Sequence, residues 1–115
     1  MQDYRKTERF KTQAHVYIPD ILERESLLKN LSITGCCVEC SANTKIKPGT
    51  TYHLQIIPES NAKIDSFVLE VESMWMRSAG DTGEIGFNIV ASPRGKQFQN
   101  YVDYLAYRSS LPRQA

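Results

Sequence analysis

Asn30-Leu31-Ser32-Ile33-Thr34-Gly35-Cys36-Cys37-Val38-Glu39-Cys40 reads as the end of one strand, a polar turn and the start of the next. Cys36, Val38 and Cys40 share one face of the second strand and Glu39 points the other way, the alternation of a sheet with one wet side. The turn is dense in hydrogen-bonding groups. The Asn30 amide and the Ser32 hydroxyl each donate and accept. Gly35 permits either a positive φ or the close approach of a bulky flat group.

The same pattern repeats outward from this hairpin. Upstream, Ala14-His15-Val16-Tyr17-Ile18 alternates and is closed by Pro19-Asp20. Residues 21–31 carry a second strand, with Glu23, Arg24 and Glu25 in its first half. Downstream, Pro48-Gly49 marks a turn, Tyr52-His53-Leu54-Gln55-Ile56-Ile57 alternates, and Pro58 ends the run. Residues 59–65 form a polar loop. Residues 67–76 are the longest strand, with Phe67, Leu69, Val71, Ser73 and Trp75 on one side and Glu70 and Glu72 on the other. A turn cluster at residues 78–83 precedes the last strand, Ile85-Gly86-Phe87-Asn88-Ile89-Val90. Strands this frequent predict a mostly-β fold, a six-stranded antiparallel (split, Greek-key) β-barrel. The period then changes. Ser92 as N-cap and Pro93 at the first helical position, with Phe98, Val102 and Leu105 at i, i+4 and i+7, predict a C-terminal α-helix over 93–107. Its Phe98 face packs on the barrel. The organisation is a flexible basic arm over residues 1–12, barrel and helix over 13–110, and a tail over 111–115.

The chain has 115 residues, 41% hydrophobic and 23% charged, with a formal net charge of +1. That is one domain with a modest core, and the near-neutral balance argues against bulk attraction to DNA, RNA or an anionic membrane. No apolar run is long enough to span a bilayer, and the first residues lack the apolar core of a signal peptide. A cytoplasmic protein is expected. Three cysteines, two of them adjacent, make a poor disulfide framework. They make a poor metal site as well. Cys36, Cys37 and Cys40 would need His15 or His53 as further ligands, and vicinal cysteines on a strand face opposite ways. Buried reduced thiols are expected, with Cys37 the more exposed, and no metal or cofactor.

Asp81-Thr82-Gly83 matches the active-site triplet of retroviral-type aspartic proteases. That chemistry needs two carboxylates sharing a proton in an apolar wall, whereas this triplet lies in a turn cluster and reads as a hairpin. With no Ser/His/Asp set and no phosphate-cradling glycine loop, the chain is not expected to be an enzyme.

Two weak motifs remain. Arg5 and Arg9 stand four apart in the arm, and Asn30, Ser32 and Gly35 form Asn-x-Ser-x-x-Gly. Alone, the first is a solvated charged face and the second a turn. Together, in a small β domain, they resemble the PilZ family, whose members bind the bacterial second messenger cyclic di-GMP. Residues 71–75 are similar to that family's Val-x-Trp strand, with wider spacing, and Ile85 to Ile89 to the strand that follows. The resemblance covers roughly residues 4–107. Tyr4 stands where many members carry a further arginine, and Asn30 where aspartate is commoner.

The resemblance implies a non-enzymatic receptor for cyclic di-GMP in bacterial signalling of the kind that governs motility or virulence. Arg5 and Arg9 would clamp phosphate and guanine, since a guanidinium forks onto oxygens and stacks on bases. Asn30 and Ser32 would hydrogen-bond the guanine and nearby ligand atoms, and Gly35 would keep the surface open. Trp75 is either core packing or a platform near the ligand. The output would pass to an unidentified effector protein, the exposed side of the helix with Tyr104 and Tyr107 being one contact surface. The alternative is a PilZ-like adaptor that binds no nucleotide.

Overall fold

The computed structural model describes residues 8–21, 25–92 and 96–111. Among these residues seven strands and one α-helix run in the order β1 (Phe10–Lys11), β2 (His15–Tyr17), β3 (Ser26–Leu31), β4 (Gly35–Ser41), β5 (Thr51–Ile57), β6 (Phe67–Ala79), β7 (Thr82–Ala91) and α1 (Gln97–Ser110), with a 3-10 turn at Ser60–Ala62. The pairing β3-β2-β5-β6-β7-β4 closes on itself through β3–β4, giving a six-stranded antiparallel barrel. The remaining strand, β1, is a two-residue fragment. β1 and β2 both pair with β3, at Phe10↔Leu31 and His15↔Leu27, so they are two pieces of one broken strand. Thr12 bridges the break, donating its hydroxyl to the Leu28 carbonyl at 2.5 Å and accepting the Ala14 N–H at 3.1 Å.

Alternation places Val16, Leu28, Leu31, Val38, Leu54, Ile56, Leu69, Val71, Ile85 and Phe87 together in the core, each at most 1% exposed. Full closure leaves the barrel without an open sheet edge. Asp81-Thr82-Gly83 belongs to the β6–β7 hairpin, where Gly80 takes φ 66° and Ala79 pairs with Thr82.

The helix begins at Gln97, later than expected, and runs on to Ser110. Lys96, not Ser92, is its N-cap, and no side chain caps it. Gly95, a poor helix former, lies inside the turn that the Ser92-Pro93 signal would begin. Residues 93–95 are outside the described chain. Tyr101, Val102 and Leu105 are the helical residues buried in the core, while Phe98 is half-buried against Phe67, ring centroids 6.0 Å apart. Tyr104 is not on the free face as expected. It is half-buried and stacks on Tyr101 at 6.1 Å, leaving Tyr107 exposed.

One polar knot ties helix to barrel. Tyr101 donates its hydroxyl to Glu59 Oε1 at 2.6 Å, and Arg108 gives Nη1 to Glu59 Oε2 and Nη2 to the Lys11 carbonyl, both at 2.8 Å. Burial, with the Glu59 carboxylate beside it, pushes the Tyr101 phenol above its ordinary value of 10.0. A raised phenol keeps its proton in the folded chain after the unfolded chain has lost it. Its stabilisation is therefore complete below about pH 10 and is lost as pH rises beyond. Tyr101→Phe is expected to lower stability by about 1.5 kcal/mol near neutrality. Urea melts of the two proteins should converge above pH 10.

Candidate functional site

The turn between β3 and β4 is built by Ser32. Its Oγ accepts the N–H of Thr34 at 3.1 Å and of Gly35 at 3.0 Å, and its proton lies between Gly35 O at 3.2 Å and Thr34 Oγ1 at 3.3 Å. One hydroxyl has one donor and two acceptor sites, so its capacity is used in full. Ser32 is also 0% exposed. It shapes the turn from beneath, because a buried polar atom has to be satisfied locally.

Above that turn two of the motif elements meet. Arg9 donates Nη1 to Asn30 Oδ1 at 3.1 Å. A Cβ on Gly35 would lie 2.8 Å from Arg9 Nη2 and 2.8 Å from the Phe87 carbonyl oxygen. Gly35 is not among the residues with positive φ, so its requirement is close approach, and the flat group that approaches is the Arg9 guanidinium. The C-terminal part of the expected arm is seated on the barrel: Phe10 and Lys11 pair with Leu31 and Asn30, and Arg108 holds the Lys11 carbonyl. Arg5 and Tyr4 lie outside the described residues, so the partner of Arg9 in the arginine pair is not placed.

The outer face of β4, β7 and β6 continues the site in three rows. Gly35 pairs with Asn88, Cys37 with Gly86 and on to Trp75, and Glu39 with Glu84 and on to Arg77. Trp75 belongs to this outer face, not to the core side with Ser73. A bulge between Ser73 and Trp75 inserts Met74, and one extra residue reverses every later side chain. Trp75 is 41% exposed, and its indole fills the space that a Gly86 side chain would occupy. Gly35 and Gly86 are one strand spacing and two residues apart, so guanidinium and indole sit over points about 8 Å from each other.

Glu84 is the anion of this face that carries two cation partners. Its Oε1 accepts Arg77 Nε at 3.1 Å and Nη2 at 2.8 Å, and its Oε2 takes Lys29 Nζ at 2.5 Å. Hydrogen bonds from Lys29 and then Arg77 hold its carboxyl below the ordinary carboxylate value. The Arg77 guanidinium lies over the Trp75 ring, 5.0 Å from its centroid. The sequence reading missed Arg77 and Glu84. A tight turn at Gly80-Asp81 sets them directly opposite each other, which was the available signal.

Cys37 points to this face yet is 5% exposed, so it is not the open thiol that was expected. Burial raises its pKa, with Glu84 adding to the shift and Lys29, Arg9 and Arg77 opposing it. Cys36, inside the barrel, is pushed up to about 12 by burial. Among the described residues no group of three or more His, Cys, Asp or Glu side chains is placed to hold a metal ion. A cleft of about 240 Å³ lies elsewhere, between Lys63-Ile64-Asp65 and the start of α1, and shares no residue with this face. No helix among the described residues is long and apolar enough to cross a membrane.

The family model described as PilZ domain matches residues 3–107. Solved structures share the fold, two of them as follows. The Bacillus subtilis inhibitor of motility (MotI/DgrA) aligns at TM-score 0.74 with 19% identity, covering 94% of this chain and 52% of that one. The Borreliella burgdorferi PlzA protein, in complex with c-di-GMP, aligns at TM-score 0.55 with 12% identity, covering 92% of this chain and 49% of that one. The chain thus spans about half the length of each. No curated protein matches significantly.

Proposed function

The chain belongs to the PilZ domain family, and on that premise we propose that it is a non-enzymatic receptor for cyclic di-GMP whose binding face is the outer surface around Arg9, Asn30, Gly35 and Trp75. The observation that carries this reading is the seating of the Arg9 guanidinium between Asn30 and Gly35. Two motifs that are each unremarkable in the sequence converge at one point of the surface.

The chemistry suits the ligand. Cyclic di-GMP is a dianion with two guanine faces. Arg9 supplies a planar cation for phosphate or for the N7 and O6 edge of guanine. Asn30 adds an amide that reads donors and acceptors, and Trp75 an aromatic surface for a base. Arg5 joins Arg9 as the second clamp. Ser32 acts through the turn that it holds. The fold of PlzA, solved with c-di-GMP, supports the choice of ligand. Closing Arg5 and Arg9 on the ligand then alters the surface presented to an effector protein, and Arg108, bonded to the Lys11 carbonyl, connects that segment to the helix that carries exposed Tyr107.

Thermal melts with added nucleotides test the ligand class. At a hundredfold excess over Kd a specific ligand stabilises by about 2.7 kcal/mol. Cyclic di-GMP is expected to raise Tm by several degrees, with cyclic di-AMP and GTP leaving it unchanged. A chain indifferent to all three would instead be an adaptor that binds no nucleotide.

A further inference from the structure

We propose that Arg77 is a third ligand-reading arginine of this face, one that lies outside both motifs. Its guanidinium lies over the Trp75 indole and is clamped by Glu84, so a base of the ligand meets a stacked Arg77–Trp75 pair. The proposal rests on the reading of this face as the cyclic di-GMP site.

Three observations carry it. First, Arg77 is out of the motif but in the face: the register places Trp75 and Arg77 in successive outward rows beyond the row that holds Gly35. Second, its guanidinium is held from two sides. Arg77 gives Nε and Nη2 to one carboxylate oxygen at 3.1 and 2.8 Å while its Cζ stands 5.0 Å from the indole centroid. A guanidinium held this way loses less rotamer freedom when a further layer is added, and it stacks on π faces as lysine does not. Third, the indole is backed by Gly86, whose missing side chain gives it room. A base therefore comes to the indole from the solvent side, where Arg77 is. Lys29 holds the other oxygen of Glu84, so Arg9, Lys29 and Arg77 share this face with the carboxylates Glu84 and Glu39.

The test is a double-mutant cycle on the full chain with cyclic di-GMP as titrant, read by calorimetry and by fluorescence of Trp75, the one tryptophan of the sequence. The Arg77 side chain is 74% exposed, so Arg77→Gln leaves the fold intact. It is expected to weaken binding about tenfold and to reduce the ligand-induced change in Trp75 emission. Arg77→Lys should recover less than half of that loss on a logarithmic scale, because charge without a planar stack is not enough. In a Trp75→Ala background Arg77→Gln should cost less than threefold. Unchanged or tighter binding by Arg77→Gln, full recovery by lysine, or equal losses in the two backgrounds would each overturn the proposal while leaving the receptor reading intact. A wild-type chain that gives no binding at all would overturn both.

Discussion

Arg9→Ala is expected to weaken cyclic di-GMP binding by about 30- to 100-fold while leaving the melting curve nearly unchanged. The magnitude follows from the contact type. A hydrogen bond with a charged partner contributes about 1.5–3 kcal/mol, and each 1.4 kcal/mol is about a tenfold change in affinity. Arg9 is exposed, and its polar partner among the described residues is Asn30, so its removal opens no cavity and orphans no buried group. Arg9→Lys should rescue little, since an ammonium neither forks onto two oxygens nor lies flat over Gly35. Parallel calorimetric titrations with thermal melts check this. Undiminished affinity in Arg9→Ala would mean that the guanidinium seated over the turn does not grip the ligand.

The second large effect is expected at Gly35. Its new Cβ in Gly35→Ala would lie 2.8 Å from the Phe87 carbonyl oxygen, which is backbone, and 2.8 Å from Arg9 Nη2, the mobile end of a side chain. Arg9 can move aside. The Phe87 carbonyl cannot without disturbing β7 at a core residue that is 1% exposed. Overpacking of this kind costs about 1–3 kcal/mol, or a fall in Tm of about 5–15 °C. Binding should fall as well, because the displaced guanidinium leaves Asn30. The two losses are separable: Gly35→Ala loses both stability and affinity, whereas Arg9→Ala loses affinity alone. A Gly35→Ala protein that melts and binds like the wild type would show that the close approach of β7, Gly35 and Arg9 is not what the site depends on.

The barrel was legible because its strands alternate one apolar residue with one polar residue, and a wet-sided antiparallel sheet imposes that period. Val16, Leu28, Val38, Leu54, Leu69 and Ile85 are all buried as that period requires. The reading failed where one residue breaks the count. Met74, inserted by the bulge, turns Trp75 from the inward set to the outward set, and no propensity marks such an insertion. The helix start was misplaced because Ser92-Pro93 is a sound start signal only if the following turn also favours helix. Of the candidate site, Arg9, Asn30 and Gly35 were legible as motif residues and are brought into contact. That Ser32 also holds the turn through the N–H groups of Thr34 and Gly35 was not legible, because a hydroxyl in a turn looks the same in sequence whether it faces solvent or its own backbone. Arg77 and Glu84 went unread because a cross-strand pair has meaning only once the register is known.

The most direct measurement is a calorimetric titration of the wild-type chain with cyclic di-GMP. A saturable isotherm, with one or two nucleotides per chain, is the predicted result. No heat and no saturation at concentrations where cyclic di-AMP and GTP are equally silent would contradict the account. The outer face of Arg9, Asn30 and Trp75 would then have to be read as a surface for proteins alone.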